Sequence, residues 1–143
     1  MKENQNIFRI VNEELSGEDI AMLSPLQLAY VGDAVYELLI RTYILDKNAN
    51  VNQLHKKAIK YVKANAQSEL IHYIEEYLTD KEKDIVKRGR NTKTNTNPKN
   101  ASLIDYKYAT GFESLFGYLY LTNQDSRILE LFDNIKEFEK NKI

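Results

Sequence analysis

Residues 28–39 read Leu28-Ala-Tyr-Val-Gly-Asp-Ala-Val-Tyr-Glu-Leu-Leu39, and the hydrophobic pattern of this stretch indicates the fold class. Apolar side chains recur at spacings of three and four residues, which is the periodicity of one face of an α-helix. Just upstream, Ser24-Pro25 supplies a helix N-cap and a proline suited to the first helical turn. The pattern predicts one long helix from about Pro25 to Leu45.

The rest of the chain also has helical periodicity, and we find no alternating pattern of a β-strand. We therefore expect an all-α fold, a single helical domain over residues 1–143. The pattern also predicts helical sequence from Asn50 to Tyr77, with a break at Ala64-Asn65. A capping box at Thr79 to Glu82 opens another helix, which ends near Arg88-Gly89 and is followed by an exposed loop from Arg90 to Asn100. The last two predicted helices run from about Ala101 to Leu121, with an interruption near Gly111, and from Ser126 to Lys140.

The composition narrows the class of protein. The chain has 143 residues, of which 43% are hydrophobic and 29% charged, as is typical of one globular domain. It has no cysteine, which excludes disulfides, a thiol nucleophile and cysteine-ligated metals. We find neither a signal peptide nor a run of about 18 apolar residues. We therefore expect a cytoplasmic protein without a membrane partner.

The charge is unevenly distributed along the chain. Between Lys81 and Asn100 there are seven basic and two acidic residues, a local charge of +5, whereas the net charge of the whole chain is −1. Such a basic segment on an acidic body suits a polyanionic partner bound at one edge. An ordinary solvated charged loop is the alternative interpretation.

Two carboxylates stand beside glycines in otherwise apolar helices. Asp33 follows Gly32 directly, and Glu113 lies one helical turn from another glycine. Because glycine in a helix interior costs about 1 kcal/mol relative to alanine, each glycine indicates the close approach of a backbone or a ligand. If the two helices pack together, both carboxylates meet at one site, and two carboxylates with water are ligands that Mg²⁺ accepts. The alternative is that Asp33 or Glu37 pairs with Arg41 and that Glu113 is a surface residue.

These two segments resemble the signature motifs of a known enzyme family. Leu28-Ala-Tyr-Val-Gly-Asp-Ala-Val-Tyr-Glu-Leu resembles the Leu-Glu-Phe-Leu-Gly-Asp-Ala-Val-Leu-Glu-Leu helix of the ribonuclease III family. Phe112-Glu-Ser-Leu-Phe-Gly-Tyr-Leu-Tyr-Leu resembles the second motif of that family, Leu-Glu-Ala-Leu-Ile-Gly-Ala-Ile-Tyr-Leu. The resemblance extends from about Leu23 to Leu131 and implies the helical endonuclease domain of the ribonuclease III type.

Two linking segments, Arg88-Gly-Arg-Asn91 and Pro98-Lys-Asn100, are similar to one branch of the family, which has the catalytic domain but no double-stranded-RNA-binding domain. Members of that branch are dimeric, Mg²⁺-dependent endoribonucleases that trim the base-paired ends of precursor 23S ribosomal RNA in bacteria. The resemblance therefore implies an endoribonuclease that cleaves double-stranded RNA, with Mg²⁺ as cofactor and precursor 23S ribosomal RNA as partner. It leaves room for a ribosomal-protein helper.

The resemblance also implies roles for individual residues. Asp33 and Glu113 occupy the positions of the catalytic, metal-binding aspartate and glutamate of the family. However, Leu26 and Ala29 stand where the larger enzymes carry two glutamates, and Thr110 stands where they carry an aspartate. This thinner ligand set favours one bound metal ion over a fully protein-ligated pair. It also keeps open a non-catalytic RNA-binding or ribosome-assembly module on the same fold.

The basic segment supplies side chains suited to hold RNA. A protein that binds duplex RNA contacts phosphates and 2′-hydroxyls, for which Lys, Arg and Asn are donors. The absence of aromatic residues for base stacking argues against a single-strand binder. The expected RNA-binding residues are Lys87, Arg88, Arg90, Asn91, Lys93, Lys99 and Asn100. A line on an earlier helix is either a second RNA contact or a solvated face, and comprises Gln53, His55, Lys56, Lys60, Lys63 and Gln67.

The first long helix is apolar over a wider arc than one small helical domain readily covers. A two-fold dimer would bury part of this arc and present two sites to the antiparallel strands of one duplex. We therefore expect a homodimer, as the resemblance also implies. The arc comprises Val35, Tyr36, Leu38, Leu39, Ile40, Tyr43 and Ile44.

Overall fold

The computed structural model describes residues 6–93 and 102–142, and all regular secondary structure in this part of the chain is helical. The prediction of an all-α fold in a single helical domain is confirmed. The helices are α1 (Ile7–Ile10), α2 (Gly17–Ala21), α3 (Pro25–Ile44), α4 (Val51–Val62), α5 (Ala64–Ile74), a 3₁₀ turn (Glu75–Tyr77), α6 (Asp80–Arg90), α7 (Leu103–Leu121) and α8 (Asp125–Lys140).

Reciprocal side-chain caps fix where α3, α4 and α6 begin. In α3, the Gln27 N–H donates to Ser24 Oγ at 3.2 Å and the Ser24 N–H donates to Gln27 Oε1 at 2.9 Å. Each pair satisfies two N–H groups that a helix start would otherwise leave free. Asn50 and Thr79 cap α4 and α6 in the same way, so the capping box predicted at Thr79 is confirmed.

In the part of the chain that the structure describes, the predicted helix boundaries lie within two residues of the observed ones. The exposed loop predicted from Arg90 to Asn100 starts too early, because Arg90 still belongs to α6, and residues 94–100 lie outside the described residues. The break expected at Ala64-Asn65 falls one residue earlier, at Lys63, which has extended backbone between α4 and α5. The interruption expected near Gly111 is wrong, because α7 is continuous through that position. A Cβ at Gly111 would lie 2.6 Å from the Val86 carbonyl oxygen, so this glycine allows α6 to pack closely on α7. The sequence pattern does not predict the short helices α1 and α2.

Helix α7 forms the centre of the domain. It packs against α3, α5 and α6, and most extensively against α3. Phe112, Leu115, Phe116 and Leu119 on α7 are completely buried. The Tyr36 ring of α3 meets the Phe112 ring edge to face, with 4.7 Å between the ring centroids. The face of α7 predicted to be apolar thus forms the core.

Two glycines allow α3 and α7 to touch through their backbones. A Cβ at Gly32 would overlap the Glu113 carbonyl oxygen and lie 2.7 Å from the Gly117 nitrogen. A Cβ at Gly117 would overlap the Leu28 carbonyl oxygen. The close backbone approach predicted from glycines in helix interiors is therefore present, and it fixes the residues that flank the crossing.

Ion pairs fasten the outer elements to this centre. Both terminal nitrogens of Arg9 bond the Asp125 carboxylate, at 2.7 and 2.8 Å, which ties α1 to α8. Arg127 of α8 binds the buried Glu82 carboxylate at 2.8 and 2.9 Å. Within residues 6–93 and 102–142, none of the helices has the length and apolar character needed to span a bilayer.

Candidate active site

Asp33 and Glu113 lie together where α3 crosses α7. Asp33 follows Gly32, which contacts the main chain of Glu113. The side chain of Glu113 lies within hydrogen-bonding reach of the Asp33 carboxyl group. Asp33 is exposed and Glu113 is half-buried, so the pair has one face open to solvent. The convergence that the two glycine-flanked carboxylates indicate in the sequence is present in the fold.

The environment of Glu113 favours its protonated form. Burial raises the pKa of Glu113 to about 8, and the neighbouring Asp33 and Glu37 charges add to this effect. The hydrogen bond with Asp33 acts in the same direction, whereas the Gln67 amide stabilises the charged form of Glu113 and opposes it. At neutral pH Glu113 therefore retains a proton beside Asp33, and a cation held by these two residues would compete with that proton.

The donor set suits one hard divalent cation. Mg²⁺ is commonly held by one or two carboxylates together with water, which is what this pair offers. Leu26 and Ala29 bring no oxygen ligand, and the Thr110 hydroxyl is engaged, donating to the Tyr106 carbonyl oxygen at 3.0 Å. Among the residues that the structure describes, no three or more His, Cys, Asp or Glu side chains form a metal-binding group. The site therefore fits a single ion that keeps most of its water.

Arg41 does not engage Asp33. Its Nε donates to Glu37 Oε2 at 3.0 Å, four residues back on the same helix. Of the two pairings considered for Arg41, the structure contains the one with Glu37, and this leaves Asp33 facing Glu113.

The prediction for Gln67 is wrong. As part of an RNA contact or a solvated face its side chain would be exposed, but it is 2% exposed. The sequence did carry a signal, because Gln67 stands three, four and seven residues before Leu70, Ile71 and Ile74, in register with the buried face of α5. Its Nε2 donates to the Val62 carbonyl oxygen at 3.1 Å.

The basic residues begin at the end of α6. Lys87, Arg88 and Arg90 occupy its last turn, where positive charge also complements the helix dipole. The Arg90 guanidinium lies over the Tyr108 ring, 5.3 Å from the ring centroid, whereas Lys87 and Arg88 are exposed. Asn91 and Lys93 are exposed after the helix end. Lys99 and Asn100 lie outside the described residues.

The apolar arc of α3 divides into two parts. Tyr36 and Ile40 are buried within the domain, so they are not part of its exposed surface. Leu38 is 61% exposed and Tyr43 is 44% exposed. Tyr30, beside the carboxylate pair in sequence, is 83% exposed. Exposed apolar side chains therefore remain on α3, although the Glu37–Arg41 ion pair interrupts them.

Comparison with known proteins places this geometry in a family. The model of the Ribonuclease III domain family matches residues 26–124. A Mini-ribonuclease 3 of Clostridium tetani is 55% identical over 123 residues, 85% of this chain and 82% of that protein. A Mini-ribonuclease 3 of a Thermoanaerobacter species is 52% identical over 122 residues, 85% of this chain and 86% of that protein.

A solved structure agrees with these matches. The crystal structure of a Fusobacterium nucleatum protein superimposes with a TM-score of 0.75 at 34% identity, covering 87% of this chain and 98% of that one. The chain therefore belongs to the ribonuclease III family of endoribonucleases, and within it to the Mini-ribonuclease 3 branch. It is an enzyme that cleaves RNA internally.

Proposed function

We propose that this protein is an Mg²⁺-dependent endoribonuclease that cleaves double-stranded RNA at the Asp33–Glu113 pair, and that its substrate is precursor 23S ribosomal RNA. The observation that carries this proposal is the meeting of two carboxylates at the backbone contact of α3 and α7. A protein that only binds RNA has no use for clustered acids facing phosphate. That clustering therefore favours an enzyme over a non-catalytic assembly module.

Asp33 and Glu113 are the residues that would hold the metal ion. When bound, Mg²⁺ supplies the positive charge that activates water and stabilises the charge developing on the scissile phosphate. Asp33 presents its carboxylate to solvent, where a phosphodiester can approach. Glu113 contributes a second oxygen once its proton has left. The close backbone contact at Gly32 and Gly117 holds the helices that carry both residues against each other.

The basic residues bind the backbone of the RNA duplex. Lys87 and Arg88 extend from the end of α6 into solvent, and Asn91 and Lys93 continue the exposed polar surface. These side chains donate to phosphate and 2′-hydroxyl oxygens without reading base edges. The expected selectivity is therefore for duplex shape.

We propose that the working form is a homodimer. The exposed apolar side chains on the outer side of α3 support this, because Tyr30 and Leu38 gain from being covered. A two-fold axis would relate two carboxylate pairs in the same way as the two strands of a duplex. Maturation of a bacterial ribosomal RNA precursor places the reaction in the cytoplasm, where ribosomal proteins are available as helpers.

The direct test removes one charge at a time. Asp33→Asn and Glu113→Gln keep the volume of the side chain but remove a charged metal ligand. The rate of cleavage of a long RNA duplex in Mg²⁺ should therefore fall by at least about 100-fold, while binding of the duplex persists. Asp133→Asn, which changes an exposed aspartate of α8, is the matched control and should cut at the wild-type rate. Near-normal turnover in either site variant would remove that residue from the active site.

The dimer has its own test. Light scattering at micromolar concentration should give twice the mass of the 16.7 kDa chain. Mixed dimers of one wild-type and one Glu113→Gln subunit should nick one strand of the duplex. A monomer, or double-strand cuts by verified mixed dimers in one binding event, would contradict the two-site arrangement.

A further inference from the structure

We propose that Tyr108 is a positioning residue for RNA binding: its ring holds the Arg90 guanidinium where it can contact a phosphate of the duplex, and His72 supports that ring. This inference rests on the proposed function, because it deepens the role given to Arg90 in binding the RNA backbone. In this role Tyr108 and His72 act through Arg90 and do not themselves contact the RNA.

Three helices contribute one residue each to this group. The Cζ atom of Arg90, at the end of α6, lies 5.3 Å from the centroid of the Tyr108 ring of α7. A cation within about 6 Å of a ring centroid is attracted by the negative face of the ring. The His72 ring of α5 packs against the same Tyr108 ring, with 4.3 Å between the centroids and a tilt of 45°. The Tyr108 ring therefore links Arg90 to α5 as well as to α7.

The two rings that carry Arg90 are themselves held in place. Tyr108 is half-buried and packs against the hydrophobic core. The Nδ1 atom of His72 lies 2.6 Å from the Ser68 carbonyl oxygen, one turn earlier on α5. Because a carbonyl oxygen only accepts hydrogen bonds, Nδ1 carries a proton and donates this bond, which restricts the orientation of the imidazole ring. The support beneath Arg90 is thus anchored to the body of the domain.

The ring holds Arg90 without neutralising its charge. Arg9, Arg41 and Arg127 are held differently, because each binds a carboxylate at 2.7–3.0 Å. A carboxylate cancels the positive charge and occupies N–H donors that a phosphate would otherwise accept from. In the part of the chain that the structure describes, no carboxylate lies within ion-pair distance of Arg90. The guanidinium is therefore held in place and still able to donate to phosphate oxygens.

Holding Arg90 in advance lowers the cost of binding RNA. A long side chain that loses its rotamer freedom at an interface weakens binding by roughly 2- to 10-fold. Lys87 and Arg88, in the same turn of α6, are exposed, and no aromatic ring of the described residues lies beneath either of them. Arg90 is thus the basic residue of this turn that needs the least ordering when a duplex binds.

The test measures the fluorescence anisotropy of a labelled RNA duplex in EDTA, which prevents metal-dependent cleavage. Tyr108→Leu removes the ring and should weaken binding roughly 2- to 10-fold. Tyr108→Phe keeps the ring face and should bind within about twofold of the wild type. The matched control is Tyr118→Leu, because Tyr118 is also a half-buried tyrosine of α7, with Lys81 Nζ 5.9 Å from its ring centroid. This control should bind the duplex as the wild type does.

A double-mutant cycle separates positioning of Arg90 from a general structural role of Tyr108. Arg90→Gln removes the charge and should weaken binding by at least about tenfold. Because Tyr108 acts through Arg90, adding Tyr108→Leu to Arg90→Gln should weaken binding no further. If Tyr108→Leu instead causes the same loss with and without Arg90, the two residues are independent and the proposal is overturned. A Tyr108→Phe protein that binds as weakly as Tyr108→Leu would contradict the role of the ring face.

The outcomes also separate this inference from the proposed function. If Arg90→Gln weakens binding but Tyr108→Leu binds as the wild type does, only this inference fails. If the wild type does not bind the duplex, or Arg90→Gln binds it equally well, the proposed RNA-binding role of Arg90 fails and this inference fails with it. Should Tyr108→Leu not fold, His72→Ala removes the exposed support of the ring and should weaken binding in the wild type but not in Arg90→Gln. Unchanged binding in His72→Ala would then overturn the proposal.

Discussion

Replacing Gly117 by alanine tests whether the contact between α3 and α7 is as tight as the structure shows. The new methyl group would overlap the Leu28 carbonyl oxygen and would lie 2.8 Å from the Leu28 carbonyl carbon and 3.1 Å from the Gly32 nitrogen. Ordinary van der Waals contacts are 3.4–4 Å long. All three neighbours are backbone atoms, so no side-chain rotation relieves the overlap and the helices must move apart.

The unfolding free energy that Gly117→Ala loses can be estimated from two opposing effects. Overpacking a tightly packed core costs about 1–3 kcal/mol, and a clash of backbone with backbone belongs at or above the upper end of that range. Alanine regains about 1 kcal/mol of helix propensity over glycine. The expected net loss is therefore about 2 kcal/mol of unfolding free energy. For a domain of this size such a loss lowers the melting temperature by roughly 5–10 °C.

Differential scanning calorimetry of the metal-free protein provides the measurement. Gly17→Ala is the matched control, because a Cβ at Gly17 meets nothing within 4 Å. That variant should melt at or slightly above the wild-type temperature. Moving the helices apart also displaces Asp33 relative to Glu113, so Gly117→Ala should lose cleavage activity even below its melting temperature. A Gly117→Ala protein as stable as the wild type would refute the tight backbone contact.

Three further outcomes are expected. Folded Glu113 keeps a proton that the unfolded chain releases above the ordinary pKa of a glutamate, so the unfolding free energy of the metal-free protein in urea should fall as pH rises from about 5 to 8. Glu113→Gln should flatten this dependence of unfolding free energy on pH, and equal slopes in the two proteins would contradict the raised pKa. Arg127→Met should lower the unfolding free energy measured in urea by about 3–5 kcal/mol, because it leaves the buried Glu82 carboxylate, 4% exposed, without its cation. Adding Glu82→Gln to the same chain should recover part of this loss, whereas additive losses for the two substitutions would exclude a coupling between the residues. Removing the basic cluster should weaken duplex binding and flatten the plot of log affinity against log salt, whereas an unaltered plot would mean that the cluster does not touch phosphates. The residues replaced by serine in that variant are Lys87, Arg88, Arg90, Lys93 and Lys99.

The elements that the sequence predicts well are those that depend on local signals. The start of α3 follows from Ser24 and Pro25, and the start of α6 from the capping box at Thr79, because caps act within one turn. Asp33 and Glu113 could be matched to one another because Asp33 follows a glycine and Glu113 lies one helical turn from another, and glycine is costly in a helix. The cost of Gly32 in α3 is offset by a backbone neighbour, as the sequence indicates.

The features that escaped prediction depend on tertiary packing. At Gly111 the same helix-breaking signal led to the wrong conclusion, since the glycine accommodates α6 within a continuous α7. The burial of Gln67 depends on which face of α5 meets α7, and its polar character masked its register with the apolar residues. Helices α1 and α2 span four and five residues and have no buried residue, so they offer no periodic pattern to detect.

The central place of α7 determines when this protein can fold during its synthesis. Helices α3 to α6 leave the ribosome first, but the residues that cover their apolar faces lie in α7, between Leu103 and Leu121. A nascent chain that stops before Leu103 lacks the central helix of the core, so side chains such as Ile40 and Leu70 lose the α7 surface that helps to bury them completely in the finished domain. The carboxylate of Glu113 is also part of α7, so a chain has no complete Asp33–Glu113 pair until this central helix has been made.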